Sequence, residues 1–149
     1  PMFCPQVAVL QQAAKVTTFL PGRTDVGAQI TTAQITGIAG ACATAKNNSL
    51  LRVTFRAGFA ASDGPADHGA TVELPYFVAL RRGNQIISEQ DYTIALHFNG
   101  NASTAMATSK PVKVELANVR DSQDVQVLVG FKMTPEQLAY AAAHPMAAP

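Results

Sequence analysis

Alternation of apolar and polar positions is the strongest signal along the chain. In "LLRVTFRAGF" (50–59), Leu51, Val53, Phe55, Ala57 and Phe59 fall on one side, and Arg52, Thr54 and Arg56 on the other. A period of two places such residues on opposite faces of a strand, so one face is marked for a core. "TVELPYFVAL" (71–80) repeats the pattern with Val72, Leu74, Tyr76, Val78 and Leu80. A turn at Gly83-Asn84 leads into "SEQDYTIALHF" (88–98), which sets Tyr92, Ile94, Leu96 and Phe98 against Asp91, Thr93, Ala95 and His97. Two shorter runs follow. Val112, Val114 and Leu116 oppose Lys113 and Glu115, and Val125, Val127, Val129 and Phe131 oppose Gln126, Gly130 and Lys132.

Two earlier segments are less regular. "VGAQITTAQITGIAGAC" (26–42) is rich in β-branched residues, but Val26, Ala28 and Ile30 share one parity while Ala33 and Ile35 share the other. A β-bulge near Thr31-Thr32 would reconcile the two halves. In "QVAVLQQAAKVTTF" (6–19), Val7 and Val9 suggest a strand, whereas "LQQAAKV" suits a helical turn. Breakers at Pro21-Gly22, Asn47-Asn48, Ser62 to Gly69, Arg82 to Asn84, Asn99 to Ser109 and Asp121-Ser122 separate the runs. The pattern predicts an all-β fold: an immunoglobulin-like antiparallel β-sandwich of about seven strands, with a small barrel as the alternative.

The last element changes period. In "VLVGFKMTPEQLAY" (127–140), Thr134 suits an N-cap, Pro135 the first helical position, and Gln137 can close a capping box. Met133 and Leu138 occupy the two positions of a hydrophobic staple. The helix, 134–143, ends before Pro145 and is too short to be stable alone, so it must dock on its own sandwich or on a partner. Met133, Leu138 and Tyr140 are therefore the predicted docking residues. The whole chain, 1–149, reads as one domain with an N-terminal arm (1–6) and an Ala-rich tail (144–149).

Composition narrows the function. At 149 residues and 48% hydrophobic, the chain can build a real core, while 14% charged residues lies below the ordinary globular range. A net charge of +1 without a basic run gives no reason to expect nucleic acid as a partner. No apolar stretch approaches the roughly 20 residues of a membrane helix. A charged-then-apolar leader is also missing at the start, so any targeting signal is expected to have been removed or never included.

Cys4 and Cys42 are the two cysteines. In a reducing compartment they would be two buried thiols, and no other Cys or His stands at metal-ligand spacing from either. Cys4, however, lies in a Pro-containing arm, "PMFCPQ", that would otherwise fray, and Cys42 ends a strand-like run where it can hold that arm. A disulfide between them implies an oxidising, envelope-type location such as the periplasm.

The segments "CPQVAVL", "FLPG", Cys42, "LPYFVAL" and "VLVGFKMTPEQLAY" together resemble a family of small proteobacterial envelope lipoproteins of uncharacterised function. The similarity runs over most of the chain and is most specific in the last segment. It implies anchoring to a membrane through an acylated cysteine upstream of the Cys-Pro-Gln segment and absent from this chain. Phe3, a bulky residue directly before Cys4, does not suit a lipoprotein cleavage site, which agrees with Cys4 being the disulfide cysteine. The ending "AAAHPMAAP" departs from the short polar or basic ending of that family, and the family supplies no active site.

Among candidate chemistry, "SDGPADHG" places Asp63, Asp67 and His68 close together, and two carboxylates with an imidazole can hold a divalent metal or move protons. The same residues equally make a polar turn-rich connection. His97 and His144, with the scattered methionines, show no ligand spacing. Phosphate-cradling loops, nucleophile elbows and zinc-protease helices are missing as motifs. Arg52 and Arg56, with Arg81 and Arg82, could build a basic strip on one sheet face, and solvated strand positions explain them equally well. From Val26 through Thr44 the chain carries no charge at all. Such a strand is expected inside a sheet or beneath a partner. The expectation is a non-enzymatic accessory or structural subunit of an envelope assembly, bound to protein partners and without a cofactor. The alternative is a small-ligand or glycan binding module using the loops 62–69 and 99–109. An aromatic content of 7% without tryptophan speaks against glycan recognition.

Overall fold

The computed structural model describes residues 4–47, 49–67, 69–117 and 124–145. Among them are nine strands and one α-helix: β1 (Val7–Val9), β2 (Lys15–Phe19), β3 (Gln29–Ala45), β4 (Leu50–Asp63), β5 (Thr71–Arg82), β6 (Gln85–His97), β7 (Thr104–Thr108), β8 (Val112–Leu116), β9 (Val125–Phe131) and α1 (Pro135–Ala143). The strands form two sheets, β1-β9-β5-β6 and β2-β3-β4-β7, with β8 continuing the line of β7 along β4. This is the predicted all-β sandwich with a short C-terminal helix, built from nine strands rather than about seven and mostly antiparallel.

The first segment splits as its mixed pattern suggests. β1 joins one sheet, running parallel to β9, while β2 joins the other, running antiparallel to β3. A 3-10 turn at Gln11–Ala13 carries the chain across between them.

The alternating residues meet in the middle. Val53, Phe55, Ala57 and Phe59 of β4 face Leu74, Tyr76 and Val78 of β5, Ile94 and Leu96 of β6, and Val127, Val129 and Phe131 of β9. Phe59 bridges the layers: its ring centroid lies 5.1 Å from that of Tyr76 and 5.8 Å from that of Phe131. Leu51, Leu116 and Val125 form a smaller cluster towards one end.

β3 changes phase beside Thr31-Thr32, as the sequence pattern indicates, and again further along. Thr18 pairs with Thr31 and Phe19 with Gln29, leaving Ile30 as an extra residue against β2. Ile35 pairs with Phe59 and Gly37 with Gly58, leaving Thr36 extra against β4. Thr31, Ala33 and Ile35 are buried before this second bulge; after it Ile38 and Cys42 pack against the core. The bulge at Ile30 is the one expected near Thr31-Thr32, and the one at Thr36 is additional, because each neighbouring strand imposes its own register.

The outer face of the β1-β9-β5-β6 sheet is partly closed. Gly130 lies opposite Phe77, and a Cβ there would stand 2.8 Å from the Phe77 ring and 2.9 Å from Ala13 Cβ. Phe77 thus folds across a position that only glycine leaves open, and Leu128 and Ala79 are buried beside it.

Candidate functional site

Three regions hold the residues singled out by sequence. The first is the end of the sandwich where β4 leads to β5 and β6 leads to β7. The two connections lie side by side, since Asp63 N–H donates to Ser103 O (3.0 Å) and Phe98 N–H donates to Ala70 O (2.7 Å). Asp67 Oδ1 accepts from Gly69 N–H at 2.9 Å, an Asx turn that gives this carboxylate a local structural partner. His97 Nδ1 lies 2.6 Å from Thr71 Oγ1 across the β5–β6 ladder. His68 lies outside the described residues. Among the described residues no three His, Cys, Asp or Glu side chains converge as a metal site would require. The loop 99–109 is shorter than its breaker residues imply, because 104–108 forms β7.

The second region is the helix. Thr134 Oγ1 accepts from Gln137 N–H at 3.1 Å, and Gln137 Oε1 accepts from Thr134 N–H at 3.0 Å, so both halves of the predicted capping box form, with Pro135 in the first turn. Thr134→Ala is expected to cost about 1 kcal/mol, seen as faster amide exchange confined to α1.

The helix docks on its own sandwich. The Tyr140 ring packs edge-on against Phe19 of β2 with centroids 4.9 Å apart, Gln29 Nε2 donates to Tyr140 Oη at 3.4 Å, and the His144 ring stacks on Tyr140 at 4.0 Å. Met133 packs against the core. Of the three predicted docking residues, Leu138 alone stays open to solvent, at 41% exposure. It borders a shallow hollow of about 420 Å³ between α1 and Gln11, Gln12 and Lys15.

The third region is the arm. Cys4 and Cys42 are disulfide-bonded, with Cα atoms 5.9 Å apart. Val127 N–H donates to Gln6 O (2.9 Å) and Leu10 N–H to Val129 O (2.9 Å), which extends the β1–β9 pairing at both ends. Between the arm and β3 lies a hollow of about 240 Å³.

Comparison with protein-family models, curated proteins and solved structures finds no match.

Two features escape a pattern read from sequence. β6 begins three residues earlier than its alternation indicates, and Gln85–Asp91 are all exposed. β6 is the edge strand of its sheet, so this half of the hairpin is open to solvent while β5 stays paired with β9 as far as Arg82; the two strands turn through Gly83 at φ +59° in a two-residue connection. Ile86 and Ile87 near its tip are 53% and 41% exposed, and Ile87 is the extra residue of a bulge against β5. The signal available was the pair Ile86-Ile87 itself, which follows the turn without alternation.

The second feature is polar and internal. Ser109, between β7 and β8, is buried: its Oγ accepts from Ala57 N–H (2.9 Å) and donates to Lys110 O (2.9 Å). The nearby Tyr76 phenol is held above the ordinary tyrosine range by burial, with hydrogen bonding to Ser109 opposing the shift. A raised folded-state value means the native protein binds the proton more tightly than the unfolded chain. That stability is fully present below the unfolded value of about 10 and is lost as pH rises through the higher folded value. Unfolding free energy is therefore expected to fall in alkali, and Tyr76→Phe to flatten that limb in urea titrations between about pH 9 and 11.

Proposed function

We propose that the protein is a non-enzymatic cell-envelope subunit that works by holding partner proteins in a larger membrane-associated assembly. The observation that carries this reading is the β5–β6 hairpin. Its β6 strand is an edge of the sheet with seven consecutive exposed residues, Gln85–Asp91, among them the isoleucines Ile86 and Ile87 beside the turn. Two adjacent exposed isoleucines on an edge strand are stabilised by being covered, and the core of the sandwich does not use them.

The Cys4–Cys42 bond supports an oxidising compartment, and with it the periplasmic or other envelope location. Anchoring through a lipid on an upstream cysteine belongs to the same reading and rests on the family resemblance alone. The low charge of the surface agrees with extensive contact rather than with steering of a charged substrate.

The test is purification of the native complex from detergent-solubilised membranes with a tagged chain. Ile86→Asp with Ile87→Asp should abolish recovery of a stoichiometric partner, whereas Leu138→Asp, on the helix, and Asp67→Ala, in the loop, should leave it intact. Equal recovery with the hairpin variant, or loss with Asp67→Ala of a measurable activity, contradicts the reading.

A further inference from the structure

Among the described residues, the second half of β3 has no strand paired on its outer side. β2 accompanies β3 from Gln29 to Gln34, and Ile35 N–H donates to Ala14 O at 3.0 Å. There the chain leaves for the other sheet. From Thr36 to Ala45, β3 pairs with β4 alone among the described residues. Ten extended residues span about 33 Å. Alternate residues along them aim both N–H and C=O away from β4.

An unpaired row of this kind is a template for another strand, and proteins ordinarily blunt it with charge, proline or a covering element. The other edges of this molecule carry such devices. β1 is three residues long, β2 lies beside α1, the β7–β8 line is broken at Lys110-Pro111, and β6 carries Glu89 and Asp91. The stretch "TGIAGACATA" (36–45) has none of them.

A second observation points to what would sit there. The hollow of about 240 Å³ opens along this edge on its inner side, walled by Cys4, Pro5, Val7, Ile38, Cys42 and Val53. Gly40 also borders it and contributes no side chain. β4 comes so close that a Cβ on Gly40 would stand 2.6 Å from Phe55 Cβ and 2.6 Å from Thr54 O. The hollow is lined by apolar side chains together with backbone, and it is reachable from the edge. On the opposite face Gly37, Ala39, Ala41 and Ala43 are exposed and form a shelf of small residues, with Ala39 paired to Arg56 and Ala43 to Arg52. Arg52 is occupied by Glu115 at 2.8 Å, whereas Arg56, among the described residues, makes a 3.4 Å contact to Ser109 O.

We propose that this edge receives an extended segment of a partner protein as an added strand. Its inward side chains are aliphatic, one of them filling the hollow, and its outward side chains include a carboxylate that reaches across Ala39 to Arg56. Main-chain hydrogen bonds supply affinity and the alternating side chains supply selectivity, as in other cases of strand addition. A second copy of this chain fits less well. Antiparallel self-pairing of Thr36–Ala45 about a two-fold axis would turn Ile38, Gly40, Cys42 and Thr44 of the second copy inward, of which Ile38 is already packed on its own core and Cys42 is held in its own disulfide. It would also carry the Lys46-Asn47 turn of each copy towards Ala14 and Lys15 of the other. This surface is separate from the β5–β6 hairpin, and its test does not depend on the hairpin result.

The probe is a soluble nine-residue peptide with valine at every second position and glutamate or threonine between, beside a scrambled peptide of the same composition. Amide exchange should slow about tenfold or more within Thr36–Ala45 as the alternating peptide is added, and not with the scrambled one. Val7→Phe, which fills the hollow from β1 without touching the β3–β4 ladder, should weaken binding about tenfold. Arg56→Gln should weaken it less and remove its salt dependence. If Val7→Phe lowers the melting temperature, Ile38→Phe fills the hollow from the other wall. Full binding by a folded hollow-filling variant overturns the assignment, as does protection that appears elsewhere or not at all. Concentration-dependent dimers in sedimentation, with the same amides protected in the absence of peptide, would assign the edge to a second copy and overturn the partner-strand proposal.

Discussion

Phe59→Ala is expected to lower the unfolding free energy by about 3–5 kcal/mol, near the upper end for a single core truncation. Phe59 is 1% exposed and sits on β4, and its ring meets Tyr76 of β5 and Phe131 of β9 in the opposite sheet. Removing it deletes apolar surface from the centre of the sandwich and breaks two tilted aromatic pairs, each contributing about 0.5–1.5 kcal/mol beyond its area. The surrounding strands cannot close the gap, because β4 is held on both sides, by β3 and by the β7–β8 line. In a domain of this size the loss corresponds to a fall in melting temperature of about 10 °C. Urea unfolding checks it, with an unchanged slope showing that the variant still unfolds from the same compact state. Phe59→Leu keeps much of the volume and should cost well under half as much. If the two substitutions cost the same, the layers are not joined through this ring.

The prediction draws on the part of the fold most legible from sequence. Where large apolar residues alternate with polar ones, as in β4, β5 and the second half of β6, burial follows the expected parity: Val53, Phe55, Phe59, Leu74, Tyr76, Ile94 and Leu96 are all in the core. β7 shows why the same reasoning missed a strand. In "TAMAT" it is the small Ala105 that points inward and the large Met106 that is 80% exposed, the reverse of the usual contrast. The outer face of β9 escaped for a related reason. Leu128 shares parity with Gln126 and Gly130, yet it is buried because Phe77 and the 3-10 turn close over that face, a contact between segments far apart in sequence. In β3, the pairing partners on either side decide where the bulges fall, and neither is visible from the strand's own residues.

The candidate site was legible at the level of local rules and no further. Capping chemistry is local, so Thr134, Pro135 and Gln137 announce the helix start completely. Where that helix docks depends on Phe19 and Gln29, more than a hundred residues away, and nothing in "LAYAAA" names them. The uncharged stretch from Val26 to Thr44 left two outcomes open, an interior strand or a surface awaiting cover. The structure divides it between them. Its first half lies between β2 and β4, and its second half forms an open edge. A hydropathy pattern cannot make that division, because it is set by where β2 ends and crosses to the other sheet.

Removing the disulfide is the other change of large expected effect. The bond joins residues separated by 38 positions, and closing a loop of that length restricts the unfolded chain by about 4 kcal/mol on chain-entropy grounds. Cys4→Ala with Cys42→Ala should therefore lower stability by up to about that amount. The effect should also be local, because three-residue β1 depends on a short parallel ladder with β9. Exchange of the β1 amides should accelerate more than that of β4 or β9. A loss below about 1 kcal/mol would mean that Pro5 and Val7 seat the arm without the bond. The bond in turn depends on the bulge at Thr36. Cys42 faces inward because that extra residue shifts the phase of β3, and a one-residue change of register exchanges the faces of every residue beyond it. Deleting Thr36 should therefore turn Ile38 and Cys42 outward and leave both thiols free, which mass measurement before and after alkylation without reductant would show. An intact bond in the deleted chain would mean that the arm, rather than the strand's phase, decides where Cys4 finds its partner.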